Sequence, residues 1–339
     1  MPSNFNPSFY KKQKQSFTLN ECLSRIHDDR NVLSYLISLA ESTLPPDQSF
    51  LSEFFHKSGA GRNSTRRIAV SGAPGVGKST FLDSLGHYLV STQKRVAILP
   101  VDPTSTRSKG SILGDKTRMS SLVSEENAFV RPMASSLALG GVAPATDAAI
   151  SLCELAGFDY VFVETVGVGQ SEYEVRHLVD VFFLLLLPGG GDDLQGIKRG
   201  IIEMADILVI NKADGDMKQA AEITRKAHRT AQTLMRSNEW NWKPKVTVFS
   251  SISSGGEQDL LACIDSFYDH MGSNLDKLRQ QQASLKFTKS VKEMAYQHYL
   301  STPSFKKIND TLQEKLHSGE LAYWQALSEL KKTLENSEA

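Results

Sequence analysis

The residues best suited to chemistry form one glycine-rich stretch, Ser71 to Thr80, which reads SGAPGVGKST. Its Gly72, Gly77, Lys78 and Ser79 fit the pattern G-x-x-x-x-G-K-[ST], which surrounds phosphate groups with backbone N–H donors. A helix that starts directly after such a loop adds the positive end of its dipole. We expect Lys78 to reach the β- and γ-phosphates of a nucleotide and the Ser79 hydroxyl to hold Mg²⁺. The predicted phosphate contacts are Gly72, Ala73, Pro74, Gly75, Val76, Gly77, Lys78, Ser79 and Thr80.

A second group, Asn211-Lys-Ala-Asp214, has the N-K-x-D form that selects guanine. An aspartate carboxylate accepts hydrogen bonds from the ring N–H and the exocyclic amine of guanine. Adenine has an acceptor where guanine has that ring donor, so adenine would leave a buried Asp214 unpaired. We therefore predict GTP and GDP as the bound nucleotides, with the base held by Asn211, Lys212 and Asp214. A third base-contacting loop is predicted after the next strand, at Ser250, Ser251 and Ile252.

Acidic residues close two further runs that read as strands, and both suit a magnesium site. Asp102 follows Val96–Val101, whereas Glu164 follows Tyr160–Val163 and begins the sequence ETVG. That sequence has the form of a D-x-x-G switch with glutamate in place of aspartate. Mg²⁺ keeps several waters and takes one or two carboxylates plus phosphate oxygens, so these acids can act directly or through water. For each acid, capping of the following helix is the structural alternative.

The elements that would position these residues alternate along the chain from about residue 66 to 272. Short β-branched or apolar runs are separated by helical stretches, which is typical of a doubly wound, mostly parallel α/β sheet. Helical patterning without strand signals precedes and follows this region. We predict a helical extension over 1–65, a nucleotide-binding domain over 66–272 and a helical dimerisation extension over 273–339. The predicted strands are Ile68–Val70, Val96–Val101, Tyr160–Val163, Val181–Leu187, Ile207–Ile210 and Val246–Phe249.

Composition argues against several classes of protein. The 339 residues are 40% hydrophobic and 22% charged, and 38 basic residues balance 38 acidic ones. A net charge of zero gives no overall field for nucleic acid or an anionic membrane, and no apolar run approaches the about 20 residues that span a bilayer. The N-terminus lacks the apolar core of a secretory signal, so we expect a cytoplasmic protein. Its cysteines, Cys22, Cys153 and Cys263, are expected to be reduced thiols.

Together the motifs resemble those of one family, the MeaB/ArgK GTPases, which belong to the signal-recognition-particle-like branch of P-loop GTPases. The resemblance covers the central domain, whereas the terminal helices resemble the family more in length and composition than in motif. It implies a GTPase that acts as a G-protein chaperone for adenosylcobalamin-dependent acyl-CoA mutases, with methylmalonyl-CoA mutase as the best-known client. The matching segments are GAPGVGKST (72–80), VDPTS (101–105), GSILGDKTRM (110–119), VETVGVGQSE (163–172), GGGDDLQGIKRG (189–200) and NKADGD (211–216).

The resemblance also implies roles for individual residues. Asp102, Asp115 and Glu164 would join Ser79 around Mg²⁺. Lys78, Asp115 and Glu164 would then take part in catalysis. This chain has no mutase domain and no D-x-H-x-x-G pattern for cobalamin, so the client would be a separate chain.

Three segments correspond to the switches of the family: 110–119, 166–172 and an additional loop over 189–198. Lys198 is the candidate for a catalytic cation that mutase binding brings toward the developing phosphate charge, as an arginine finger would. A solvated lysine at the start of a helix is the alternative. Val168 stands where a glutamine or histidine would orient the attacking water, so we expect slow hydrolysis until a partner binds.

Two other functions are alternatives, namely a metallochaperone GTPase that delivers nickel and an ATP-dependent kinase. The eight histidines are scattered and no Cys-x-His or C-x-x-C pair occurs, which argues against metal delivery. The N-K-x-D motif argues against ATP.

The last segment predicts a homodimer. Its apolar residues recur at helical spacing and would leave a large apolar stripe on a monomer. These residues are Leu312, Leu316, Leu321, Trp324, Leu327 and Leu330.

Overall fold

Strands and helices alternate through most of the computed structural model, which describes residues 16–59, 64–102, 119–134, 143–165, 171–189, 199–234, 237–253 and 255–337. The described strands are β1 Arg66–Gly72, β2 Val96–Asp102, β3 Ala128–Val130, β4 Met133–Ala134, β5 Tyr160–Glu164, β6 Val181–Leu186, β7 Ile207–Ile210 and β8 Lys245–Val248. The described helices are α1 Leu19–Arg25, α2 Arg30–Ala40, α3 Pro45–Ser58, α4 Lys78–Ser91, α5 Ser120–Val123, α6 Ala143–Leu155, α7 Ser171–Arg176, α8 Arg199–Met204, α9 Lys218–Leu234, α10 Glu257–Met271, α11 Asn274–Ser301, α12 Pro303–His317 and α13 Tyr323–Ser337.

The strands form one parallel sheet in the order β3-β2-β5-β1-β6-β7-β8, with β4 also paired to β2. The predicted doubly wound α/β fold is therefore confirmed, and every predicted strand is present. β1 lies in the middle, between β5 and β6. Because all pairs are parallel, the carboxyl ends of these strands meet at one edge of the sheet, where such folds bind their ligands.

Apolar side chains pack on both faces of the sheet, as expected for buried parallel strands. In β6, alternate residues enter opposite layers: Phe182 joins one core cluster and Phe183 the other. The first cluster also contains Leu36 and Phe54 from the N-terminal helices, so these helices cover one face. The second contains Phe81 of α4 together with apolar residues of α10.

Local signals explain where the N-terminal helices begin. Thr18 caps α1 in a capping box: its Oγ1 accepts from the Glu21 N–H, and Glu21 accepts from the Thr18 N–H at 2.7 Å. Asp29 caps α2 by accepting from the Asn31 N–H at 2.8 Å. α3 starts with proline, whose missing N–H costs nothing in the first turn.

A buried ionic cluster lies at the amino edge of the sheet, opposite the carboxyl ends. Asp180, which precedes β6, accepts from Arg279 Nε at 3.0 Å, from Arg279 Nη2 at 2.7 Å and from Tyr268 Oη at 2.9 Å. Arg279 Nη2 also donates to the Thr65 carbonyl at 2.7 Å. Because Asp180 is fully buried, this bidentate pair holds the start of α11 against the domain.

Contacts divide the chain into two compact units, Met1–Arg279 and Gln280–Ala339. The first contains the sheet and the helices around it. The second contains the remainder of α11 together with α12 and α13. The predicted domain boundaries at residues 65 and 272 stay predictions. Among the described residues, no helix has both the length and the apolarity needed to cross a membrane.

Candidate nucleotide-binding site

The glycine-rich stretch forms the turn between β1 and α4. Gly72 ends β1 so close to β6 that an added Cβ would lie 2.7 Å from the Leu185 carbonyl oxygen. Gly75 and Gly77 have φ of +81° and +93°, which side chains other than glycine rarely adopt. α4 then begins at Lys78, so the loop and the helix N-terminus form the phosphate-binding geometry that the motif predicts.

Lys78 is buried, and its side chain folds over this loop. Its Nζ donates to the Gly72 carbonyl at 2.8 Å and lies 3.4 Å from the Ala73 carbonyl. Burial lowers the pKa of Lys78, whereas the Glu164 and Glu172 carboxylates oppose that change. A poorly solvated ammonium group gains interaction energy when an anion enters, so this position suits a nucleotide phosphate.

Ser79 and Glu164 meet where the metal ion was predicted. Ser79 Oγ donates to Glu164 Oε1 at 2.9 Å. Glu164 ends β5 and pairs in register with Val70 of β1, so the sheet fixes its position beside the loop. The next side chain, Thr165, is buried, and its hydroxyl has no partner among the described residues. Hydroxyl and carboxylate oxygens are the ligands that Mg²⁺ prefers, so these residues fit the ion.

The remaining predicted metal and switch residues are placed only in part. Asp102 is the last residue of β2, which lies next to β5, so its backbone reaches the same edge of the sheet as Glu164. Asp115 and Lys198 lie outside the described residues. Of the predicted switches, the described residues include Met119 at the end of the first, Ser171 and Glu172 at the end of the second, and Gly189 at the start of the third.

Asn211 links the base-binding and phosphate-binding segments. Its Nδ2 donates to the Val76 carbonyl at 2.9 Å, and its Oδ1 accepts from Ser251 Oγ at 3.0 Å. Lys212 reaches the same loop, since its Nζ donates to the Gly75 carbonyl at 2.9 Å. The N-K-x-D pattern predicts contacts with guanine but not these contacts with the phosphate loop.

Asp214 is oriented by the loop that follows β8. Ser250 Oγ donates to Asp214 Oδ2 at 2.7 Å and lies 2.7 Å from Ser253 Oγ. A bridge between Ser250 and Gly255 closes this loop, and the Ile252 side chain is 80% exposed. The loop therefore holds the Asp214 carboxylate through Ser250, whereas its contact with the base stays a prediction.

Two further residues lie beside these groups, Thr165 and Glu172, and neither was predicted individually to contact the phosphate loop or the metal. Glu172, in the first turn of α7, is fully buried, and its carboxylate acts on the Lys78 ammonium. Thr165 lies next to Glu164 at the end of β5. Glu172 is recognised by its burial near Lys78, which only the three-dimensional structure reveals.

Comparison with known proteins identifies the family. A family model described as "Methylmalonyl Co-A mutase-associated GTPase MeaB" matches residues 33–304. GTPase ArgK of Escherichia coli (strain K12) is 40% identical over 291 residues, which cover 85% of this chain and 88% of that protein. The mouse protein "Methylmalonic aciduria type A homolog, mitochondrial" is 42% identical over 264 residues, which cover 77% of this chain and 64% of that protein.

A solved structure has the same fold. It is described as LAO/AO transport system kinase, is 29% identical and superposes with a TM-score of 0.71 over 98% of this chain and 100% of that chain. The family match spans most of the residues that form the sheet, the phosphate loop and the base loops. This chain therefore belongs to the MeaB family and is a GTPase built on the P-loop NTPase fold.

Proposed function

We propose that this GTPase acts as a G-protein chaperone for an adenosylcobalamin-dependent acyl-CoA mutase, with methylmalonyl-CoA mutase as the client. The observation that carries the proposal is the family match over residues 33–304, because that family is described as associated with methylmalonyl-CoA mutase. The name of the mouse relative, which refers to methylmalonic aciduria, supports the same client. GTP binding and hydrolysis would gate the loading and protection of the cofactor. A cytoplasmic location stays a prediction.

The proposed nucleotide is GTP or GDP with Mg²⁺. The phosphate loop, Gly72 to Thr80, would hold the phosphates, and Asn211, Lys212 and Asp214 would hold guanine with the Ser250–Ile252 loop. Ser79 and Glu164, with Asp102 and Asp115, would hold the ion. When bound, Mg²⁺ neutralises charge on the phosphate oxygens. Lys78 would add a fixed positive charge beside them.

The contacts of Glu164 suggest how the nucleotide would control a partner. Its carboxylate contacts Ser79, and it precedes the predicted second switch at 166–172. An ion that binds Ser79 and Glu164 together would therefore act directly on the start of that segment. We propose Lys198 as the cation that the client brings toward the phosphates, which would make hydrolysis depend on the complex.

We also propose a homodimer formed by residues after 273. Apolar side chains of the unit Gln280–Ala339 are exposed, among them Phe287 and Met294 at 71% and Trp324 at 75%. Exposed apolar surface of this kind marks an interface. A chain that ends at Ala283 keeps Arg279 and should sediment as a monomer. A dimer that persists in this shortened chain would contradict the assignment.

Binding to the purified mutase tests the proposed function. Surface-immobilised methylmalonyl-CoA mutase is exposed to the GTPase loaded with GDP or with a non-hydrolysable GTP analogue, and we expect binding that differs between the two nucleotides. GTP turnover should rise when the mutase is added, and less so in Lys198→Ala. A Lys78→Ala protein, which should not hold nucleotide, is the control. Absence of binding in both nucleotide states, with no change in turnover, would refute the proposal.

A further inference from the structure

A second cavity lies at the amino end of β8, the edge strand of the sheet, whereas the phosphate loop lies at the carboxyl edge. Its volume is about 410 Å³. Residues of α9, of α10, of β8 and of the segment leading into β8 form its wall. The polar residues of that wall are Arg225, Arg229, Gln232, Lys243, Lys245, Thr247 and Asp259.

The wall of this cavity is net positive. Arg225 is paired with Glu222 at 2.7 Å. Within the described part of the chain, Arg229, Lys243 and Lys245 have no carboxylate within 4.0 Å, and Asp259 is the one acidic residue of the wall. Three cations against one carboxylate create a local field that attracts anions.

Gln232 supplies an independent sign of a ligand. The residue is 9% exposed and lines the cavity, and its buried Nε2 has no hydrogen-bond partner among the residues that the structure describes. A buried donor without a partner is uncommon, because no hydrogen bond compensates the free energy that it loses when water is removed. Lysines at an edge strand commonly prevent pairing with another sheet, which would account for Lys245 at the start of β8 and for Lys243 just before it. Edge protection does not account for a buried amide donor in a residue that lines the same cavity.

We infer that this cavity binds a phosphoryl oxyanion, either inorganic phosphate or the phosphate of a phosphomonoester. A tetrahedral anion offers several acceptor oxygens, so it can accept from the Arg229 guanidinium, from the lysine ammonium groups and from the Gln232 amide at once. The volume exceeds that of one phosphate and falls in the range of small-molecule sites. Asp259 can accept from a hydroxyl of the organic part.

Cys263 provides a reporter inside the cavity. It is half-buried and lines the wall, whereas Cys22 and Cys153 are buried. Burial raises the pKa of the Cys263 thiol, Asp259 adds to that rise, and Lys245 and Arg229 oppose it. These cations therefore act on the space next to the sulfur, and an anion that binds them would shield the thiol.

The test measures the rate at which a neutral maleimide modifies Cys263, followed by mass spectrometry. The phosphate loop is first saturated with GDP and Mg²⁺. Inorganic phosphate and glycerol phosphate are titrated in parallel against sodium chloride of equal ionic strength. We expect both phosphates to slow modification severalfold and chloride to have no effect. Stronger protection by glycerol phosphate would identify an organic phosphate as the ligand, and equal protection would identify the free ion.

Substitutions in the wall of the cavity test whether the protection of Cys263 comes from phosphate bound there. In Arg229→Gln and in Gln232→Leu, the phosphate concentration that gives half-protection should rise about tenfold, because one charged or buried hydrogen bond is lost. Lys226→Gln removes the same charge from a position of the same helix that does not line the cavity and should leave the curve unchanged. Circular dichroism confirms that each variant is folded. Equal curves for Arg229→Gln and Lys226→Gln, or equal protection by chloride, would overturn the proposal.

Discussion

At the scale of single residues, the Asn211 side chain has a structural contribution that its motif does not indicate. The Asn211 Nδ2 donates a hydrogen bond to the Val76 carbonyl, and its Oδ1 accepts one from the Ser251 hydroxyl. Asn211 therefore fixes the distance between the loop that would hold the phosphates and the loops that would hold the base. Nucleotide recognition depends on that distance, because one rigid ligand has to contact both.

Guanine selection should depend on the Asp214 carboxylate. Asp214→Asn replaces an acceptor with an amide, which complements the C2 carbonyl of xanthine instead of the guanine amine. We expect GDP affinity to fall about 100-fold and XDP affinity to rise above it, since two hydrogen bonds to a charged group are affected. Calorimetric titration of both nucleotides provides the measurement. If the variant keeps the GDP affinity of the parent protein, Asp214 does not contact the base.

The pair formed by Ser79 and Glu164 should determine the affinity for Mg²⁺ rather than the affinity for the guanine base. Glu164→Gln keeps the size of the side chain but removes its negative charge. We expect GDP binding in EDTA to change less than about twofold, whereas Mg²⁺ affinity of the GDP complex falls about 10–100-fold. A fluorescent GDP analogue titrated with Mg²⁺ reports both quantities. A variant with unchanged Mg²⁺ dependence would show that Glu164 is not part of the metal site.

At the scale of elements, the close approach of β1 to β6 constrains the phosphate loop. In Gly72→Ala the new Cβ would meet the Leu185 backbone oxygen at 2.7 Å, so the strands have to separate. We expect the free energy of unfolding to fall by about 2–4 kcal/mol. In Gly75→Ala no described residue other than the two chain neighbours lies within 4 Å of the new Cβ, and only the positive φ is strained, at about 1 kcal/mol. Urea denaturation compares the two variants, and equal losses would contradict this account.

The elements were largely predictable because they are long and apolar. β6 is recognisable from an unbroken run of buried residues, Val181 to Leu186. By contrast, β3 and β4 contain three and two residues, too few for a hydrophobic period to appear, and they were not predicted. The close approach of the Leu185 backbone to Gly72 was not predictable either, because the order of strands in the sheet follows from tertiary packing. Local motifs therefore identify the site residues, whereas the distances between them can be known only from the folded structure.

At the scale of the whole molecule, Arg279 connects the nucleotide-binding unit to the helix that leads out of it. Arg279→Met leaves Asp180 buried and without its charged partner. We expect the free energy of unfolding to fall by about 3–5 kcal/mol. Lys57→Met is the matched control, because its ion pair with Glu53 is exposed and contributes less than about 0.5 kcal/mol. Urea denaturation of the full chain measures both variants. A small loss in Arg279→Met would show that the Tyr268 hydroxyl and the Arg67 N–H are enough to satisfy Asp180.

The order of strands in the sheet has a consequence for synthesis on the ribosome. The phosphate loop emerges early, but Asn211, which holds the Val76 carbonyl, lies 135 positions later in the chain. At about 5–20 residues per second, translation leaves roughly 7–27 s between the two. For most of that interval β1 also lacks at least one of β5 and β6, its neighbours on both sides. A nascent chain therefore cannot assemble the nucleotide pocket until most of its sheet has been made, and guanine nucleotide can stabilise the chain only late in its translation.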